Sequence, residues 1–324
     1  MLNNLWYAVE FSAALAQQPK QVTLMGKEFV LYRNSQGEAI ALENRCAHRA
    51  AALSLGQIDG DCLRCPYHGW KYQADGTCAE IPANQPGMAI PKRARVEPHA
   101  VREQNGFVWL FVGNLPADQR PEIPDLPQFA EQQWHRSLDE FRWSAHYTRV
   151  IENNVDVSHP PFLHRRLGQR ANQDPTIAML QVEPSRWGAS VTLTAKLAKL
   201  KGFWQMLVAQ QEDFGSTRRH AFYMPNFTTL ELNFGRFKLA FLMAHVPVSE
   251  TVTITKSIIL RNFFKSQLFD RSTNKFGQKL LREDEAVVKT QVPQSIAADT
   301  SHDLLVASDA MILAYRKLYK EYSE

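Results

Sequence analysis

The stretch CPYHGW at residues 65–70 decides how the rest of the chain is read. A thiol, Cys65, and an imidazole, His68, stand three residues apart in a loop-forming context of proline and glycine. Upstream, NRCAHR at 44–49 repeats the pairing with Cys46 and His48, and sixteen residues separate His48 from Cys65. Two thiolates and two imidazoles in this order can serve a pair of metal ions, sulfur on one and nitrogen on the other. A zinc finger instead pairs two cysteines in one arm and two histidines in the other. Cys62-x-x-Cys65 would suit a redox dithiol, but no helix signal flanks Cys62, and Cys65 is better employed in the longer pattern. Cys62 and Cys78 are assigned to packing.

Composition sets the limits around this loop. The chain has 324 residues, 44% of them apolar, enough for one large core or two ordinary ones. Lys plus Arg exceed Asp plus Glu by 37 − 33 = 4, and the charges are scattered. The one dense cluster, Lys92-Arg93-Ala94-Arg95, reads as a solvated face, and no nucleic-acid footprint is present. No apolar run approaches the roughly 20 residues needed to span a bilayer. The start, MLNNLWYAVEFSAAL, lacks a basic region and a cleavage site. Four cysteines in a chain of this length do not suggest a disulfide scaffold, so the reading is a cytoplasmic protein using thiolates as ligands.

The organisation changes midway. QVTLMGKEFVLYR reads as a hairpin turning at Gly26-Lys27, and EAIALEN and GFVWLFVGN read as further strands. LPADQRPEIPDLPQF at 115–129 holds four prolines and reads as a linker. The expected division is residues 1–114, a linker at 115–130, and a second domain at 131–324. In that domain TTLELNFGRFKLAFLMAHVPV and ETVTITKSIIL read as antiparallel strands, while 266–291 and 302–322 carry helical periodicity. The fold class is α+β: an all-β first domain, then a domain of antiparallel strands and helices.

Cys46, His48, Cys65 and His68 are the ligand set of a Rieske [2Fe–2S] cluster. A second metal pattern lies in ENNVDVSHPPFLH. His159 and His164 are five apart, off a common helical face, and Pro160 is expected to disfavour helical geometry at His159 and bend the chain there. Two such imidazoles and a distant carboxylate would form a facial triad for non-haem Fe(II), with open positions for O2. Periodicity nominates the carboxylate. Phe269, Thr273, Phe276, Leu280, Asp284, Val287 and Gln291 fall on one stripe, so Asp284 sits on an otherwise largely apolar face, with Glu283 and Glu285 pointing elsewhere. Asp303 is the runner-up. His245 faces either a cavity or the core.

With both patterns in order, the chain resembles the α subunit of a Rieske non-haem iron aromatic-ring oxygenase. The resemblance runs over Cys46-x-His48, Cys65-x-x-His68, Asn153-x-x-Asp156-x-x-His159-x4-His164, and Glu283-Asp284. It implies a helix-grip catalytic domain, an antiparallel sheet wrapped on a long helix. It also implies that Asp156 links His159 to His68 of a neighbouring subunit, that Asn153 lies close to the iron, and that the chains form a head-to-tail ring, most simply a homotrimer without β subunits, as in vanillate and dicamba demethylases. The Pro160-Pro161 pair departs from those demethylases. Respiratory Rieske proteins clamp their loops with a disulfide, and here those positions are Ala51 and Tyr67. No Gly-x-Gly-x-x-Gly opens a helix, so a separate NAD(P)H reductase, with or without a ferredoxin, is the expected electron source. The expected activity is hydroxylation or oxidative demethylation of a small or medium ring compound. The alternatives are cis-dihydroxylation, attack on a tetrapyrrole, or electron transfer without catalysis.

Overall fold

Eleven short strands arise from the β-branched and aromatic runs of the first 112 residues. They are β1 (Leu5–Phe11), β2 (Lys20–Leu24), β3 (Lys27–Arg33), β4 (Ala39–Glu43), β5 (Gln57–Asp59), β6 (Cys62–Arg64), β7 (Lys71–Tyr72), β8 (Cys78–Glu80), β9 (Pro98–His99), β10 (Val101–Gln104) and β11 (Phe107–Val112). They pair in three sheets, ordered β1-β11-β10, β2-β3-β4-β9 and β5-β6-β7-β8. This computed structural model describes residues 2–130, 134–164, 180–196, 215–296 and 300–323. They fall into two units, Met1–Asp125 and Leu126–Glu324.

The β2–β3 hairpin turns one residue earlier than expected. Leu24 pairs with Lys27, so Met25 and Gly26 form the turn, with φ of 48° and 78°. Two consecutive positive φ values match the right-handed twist of the strands, and Met25 accepts the strain because the hairpin register demands it. Cys46, Cys65 and Cys78 sit in one apolar cluster with Val30, Tyr32, Leu42, Leu53, Leu63 and Tyr72. Cys78 is thus packed as expected, and Cys62 is half-buried at the start of β6.

The second unit is built on seven strands: β12 (His135–Trp143), β13 (Val182–Ser185), β14 (Gly188–Lys196), β15 (Gly215–Tyr223), β16 (Phe227–Phe234), β17 (Phe237–Ser249) and β18 (Val252–Arg261). They form one antiparallel sheet in the order β12-β18-β17-β16-β15-β14-β13. Four helices accompany it among the described residues: α1 (Tyr147–Val155), the single turn α2 (Pro160–Leu163), the 19-residue α3 (Asp270–Val288) and α4 (Ala310–Glu321). One sheet face receives α1, α3 and α4. Phe141 and Trp143 of β12 pack with Val150 of α1 and Val288 of α3, and Phe222 of β15 meets Tyr315 of α4 at 5.3 Å between ring centroids.

Helix α1 is unusual in burying charge. Arg149 and Glu152 are 3% and 4% exposed and join Arg316 of α4 and Asp303 in a quartet. Glu152 accepts from Arg149 Nη1 at 2.7 Å and Arg316 Nε at 2.6 Å, and Asp303 accepts from Arg149 Nη1 at 3.2 Å and Arg316 Nη2 at 2.6 Å. Buried charges persist only when paired this fully. The quartet occupies Asp303 in ion pairing, outside any cluster of metal-type ligands among the described residues. It also ties α1 to α4 and, through Arg149 and the Pro293 carbonyl at 2.9 Å, to the chain beyond α3.

Candidate metal centres

The two Cys-His segments fold as matching loops. Cys46 N–H donates to Ala51 O at 2.9 Å, and Ala50 N–H returns to Cys46 O at 2.9 Å. In the second loop, Cys65 N–H donates to Trp70 O at 2.8 Å, and Gly69 N–H to Cys65 O at 3.1 Å. The fourth residue after each cysteine is left-handed, Ala50 at φ 56° and Gly69 at φ 74°. Glycine suits position 69 because of its φ of 74° and because a Cβ there would press to 3.0 Å from Pro82 Cγ.

These loops bury both cysteines to 3% exposure while His48 stays exposed and His68 half-exposed. The two imidazoles lie 4.6 Å apart, and His48 stacks flat on Trp70 at 4.6 Å. Tyr72 Oη lies 3.1 Å from Cys46 Sγ and accepts from Ala47 N–H at 3.1 Å. Burial pushes the Cys65 thiol up; backbone N–H groups of Tyr67 and His68 oppose this, and the adjacent Cys46 thiol adds to it. Two buried thiols and two more exposed imidazoles are the donor set that would hold a [2Fe–2S] cluster.

In the second unit the structure brings His159, His164 and Asp284 together, with one ligand atom from each within 4.8 Å of the others. His159 Nε2 and His164 Nε2 approach Asp284 Oδ1 at 3.5 and 3.1 Å. The imidazole rings are 5.4 Å apart and inclined at 77°. Asp284 is 5% exposed, and its polar neighbours among the described residues are these rings and Asn153 Nδ2 at 3.5 Å. No arginine or lysine pairs with it there. A buried carboxylate facing two imidazole nitrogens is the donor chemistry of a divalent iron site.

The other ring nitrogens also meet carboxylates. His164 Nδ1 lies 3.1 Å from Glu283 Oε2, and His159 Nδ1 lies 3.5 Å from Asp156 Oδ2. The first is a hydrogen-bond distance; the second leaves Nδ1 of His159 buried without a formed hydrogen bond. Asp156 terminates α1 and accepts from Ser158 N–H at 2.7 Å and Ser158 Oγ at 2.6 Å. Burial raises its pKa, but His159 and Ser158 hold it below the usual carboxylate range. Asp156 and His159 line an open cavity of about 510 Å³ with Leu163, Val288, Gln291 and Leu305.

Three expectations about this region are corrected. His159 is helical, at φ −70° and ψ −33°, and Pro160 and Pro161 begin the α2 turn. Proline is tolerated there because the first N–H groups of a helix have no partner anyway. The bend that aims the rings falls at His164, at φ −95° and ψ 62°. Second, Phe269, Phe276 and Val287 are 42%, 49% and 50% exposed, so the face of α3 turned inward carries Leu281, Asp284 and Val288 instead. Third, Glu283 points into the site. Its neighbour Glu285 accepts from Ser144 N–H at 2.8 Å.

His245 is fully packed, with Nδ1 and Nε2 each 2.8 Å from the Thr255 and Thr228 hydroxyls. The histidine missed from sequence is His220 of β15. Its Nδ1 donates to the Asn154 carbonyl at 3.1 Å, and burial pushes its pKa to about 4, so it is neutral. The signal was present in the alternation of RRHAFY, which sets His220 and Phe222 on one strand face.

A Rieske-type loop pair in the first unit and a two-histidine, one-carboxylate group on the helix-backed sheet of the second together suit a protein with two iron centres. Residues 5–101 match the Rieske [2Fe-2S] domain, and residues 143–324 match the vanillate O-demethylase oxygenase C-terminal domain. The chain belongs to the Rieske non-haem iron oxygenase family. It is 28% identical to methylxanthine N1-demethylase NdmA of Pseudomonas putida over 311 residues, 94% of this chain and 83% of that one. It is 34% identical to the toluene-4-sulfonate monooxygenase iron-sulfur subunit TsaM1 of Comamonas testosteroni over 165 residues, 50% of this chain and 46% of that one. The match thus spans about half the length of that relative. In fold it superimposes on dicamba monooxygenase bound to dicamba with a TM-score of 0.82 at 19% identity, covering 100% of this chain and 98% of that one. Among the described residues no helix is long and apolar enough to cross a membrane.

Proposed function

We propose that this chain is the terminal oxygenase of a multicomponent system, hydroxylating or oxidatively demethylating a small-to-medium ring compound with O2. The observation that carries the reading is the convergence of His159, His164 and Asp284 in a chain whose first unit holds Cys46, His48, Cys65 and His68 in matching loops. When bound, the mononuclear iron supplies the site for O2 and the cluster supplies electrons.

The side chains have separable parts in this scheme. His159 and His164 offer Nε2, and Asp284 offers the negative charge that a divalent ion needs in a buried site. Glu283 fixes the His164 ring by taking its Nδ1–H. Asn153 steadies the Asp284 carboxylate from the other side. His220, with its proton on Nδ1 directed at the Asn154 carbonyl, adds no charge beside His159. Exposed His48 is the entry for electrons from a separate NAD(P)H reductase or ferredoxin.

Asp156 is proposed to bridge His159 to His68 of a neighbouring copy, which calls for a head-to-tail homotrimer. Support comes from its place on the open cavity beside His159, where a partner's imidazole has access. Val292 and Leu304, 83% and 89% exposed, add apolar surface that a neighbouring copy would cover.

Two measurements test the reading. Total iron should exceed acid-labile sulfide by about one atom per chain in the native protein and by none in Asp284→Ala. Hydrogen peroxide supplied to the iron-loaded protein with methoxyarenes, N-methyl heterocycles and plain arenes should then give a product whose mass reports demethylation, hydroxylation or dihydroxylation. Equal iron and sulfide in the native protein would refute the catalytic site and leave an electron carrier.

A further inference from the structure

We infer that Arg218 is the anchor for an anionic group on the substrate, so that the ring compound taken by this oxygenase is an aromatic acid. The inference rests on the oxygenase reading and deepens it by naming the substrate class.

Strand alternation places the residue. On β15, Phe222 meets Tyr315 of α4 and His220 bonds to the Asn154 carbonyl of α1, so this series of side chains faces the helices. Arg218 is the next member of that series. Its cross-strand neighbours are Leu193 on β14 and Leu232 on β16, both half-buried. Arg219, one residue on, faces the opposite way and is fully employed there. Its Nη1 donates to Glu231 Oε1 at 3.1 Å and its Nη2 to Ser190 Oγ at 3.1 Å.

Arg218 has no comparable arrangement. Among the described residues no carboxylate, hydroxyl or carbonyl accepts from it, although it is half-buried between aliphatic side chains. Burial pushes its pKa below the ordinary value, and among the described residues no anion counters it. A guanidinium nevertheless stays charged, and a charge held in such a place without a partner is costly. An incoming anion removes that cost.

The location suits a substrate. Two positions along a strand is roughly 7 Å, about the length of one substituted aromatic ring. His220 feels the charges of both Arg218 and His159. A ring held by its acid group at Arg218 therefore extends along half-buried Leu230 and Leu232 toward the end of α1 and the His159 side of the site. The planar five-donor fork favours a carboxylate, held by two parallel hydrogen bonds, with a sulfonate as the other organic anion of suitable size.

The test uses the iron-loaded protein without turnover, so its result is independent of whether oxygen chemistry occurs. Calorimetric binding would be measured for substituted benzoates, for the matching benzenesulfonates, and for neutral toluenes of the same substitution. The native protein should bind at least one anion on the order of 10- to 100-fold more tightly than its neutral counterpart. Arg218→Met should erase that preference while leaving the affinity for the neutral compound, the iron content and the circular dichroism unchanged. Arg218→Lys should keep a part of the preference and lose most for carboxylates, whose two-pronged contact lysine cannot make. A sulfonate preferred over the carboxylate retains the anchor and assigns the sulfonate as its ligand. Absence of any anion preference in the native protein, or its survival in Arg218→Met, overturns the inference. Failure of the oxygenase reading would show instead in the iron-to-sulfide count.

Discussion

Glu283 offers the sharpest perturbation of the iron site, because it touches a proposed ligand but is not one itself. Its Oε2 lies 3.1 Å from His164 Nδ1, while His164 Nε2 points at Asp284. Removing it frees the ring to rotate and lowers the basicity of the coordinating nitrogen. Outer carboxylates of this kind are worth about 10- to 100-fold in metal affinity. The Glu283 side chain is 28% exposed, so water competes for its place, and the lower end applies: about tenfold, or about 1.4 kcal/mol. Fe(II) affinity would be measured anaerobically by chelator competition in Glu283→Ala and Glu283→Gln. The glutamine variant, which keeps an acceptor oxygen, should fall between alanine and the native protein. Glu285→Ala is the control, since it removes the same charge two residues further along α3 but takes away only the bond to Ser144 N–H. Equal losses in Glu283→Ala and Glu285→Ala, or no loss in either, would refute the argument from ring orientation.

Three further outcomes are expected. Glu152→Gln leaves buried Arg149 and half-buried Arg316 short of charge and should destabilise the second unit by about 3 kcal/mol, read from denaturant midpoints; the remaining pairing of both arginines with Asp303 keeps the cost at the low end of the range for a broken buried pair, and a loss below about 1 kcal/mol would contradict it. His245 is held neutral with its pKa depressed to about 3, so the unfolded chain takes up the proton first, and its share of the stability should fall by about 1.4 kcal/mol per pH unit as pH drops below 6.5 toward about 3, beside the like contribution of His220 down to about 4. His245→Asn should lessen that slope by its share in urea unfolding at pH 7, 6 and 5, and an unchanged slope would count against it. Tyr72→Phe removes the hydroxyl beside Cys46 Sγ and should lower the cluster potential by roughly 40 mV, equivalent to about 1 kcal/mol for one electron; a potential that stays or rises in redox titration would remove the hydroxyl from the account.

Much of this molecule is written in short spacings. Cys46, His48, Cys65 and His68 stand out as proposed cluster ligands because such ligands sit on tight loops, and tight loops are local in sequence. His159 and His164 are local for the same reason, and the strand runs of both units follow from alternation and β-branched content. The two-domain order and the α+β class follow from where those runs stop and helical periodicity begins.

What sequence leaves open depends on which faces meet. Asp284 is more than a hundred residues from His164, and its burial depends on how α3 is rotated against β12 and α1. Periodicity alone selected the stripe through Phe276 and Val287, whereas packing turned Leu281 and Val288 inward and swung Glu283 onto His164. Proline statistics misplaced the bend at His159, because tertiary contacts can hold a residue before proline in a helical conformation that an isolated chain disfavours. Arg218 and Arg219 are adjacent and chemically identical. Only the sheet, by sending one outward to Glu231 and the other inward between two leucines, makes one a surface ion pair and the other an unclaimed charge. Sequence singled out the proposed Cys and His ligands because metal loops are short, and tertiary structure decided the place of Asp284 and the surroundings of both sites because those are assembled from residues far apart in the chain.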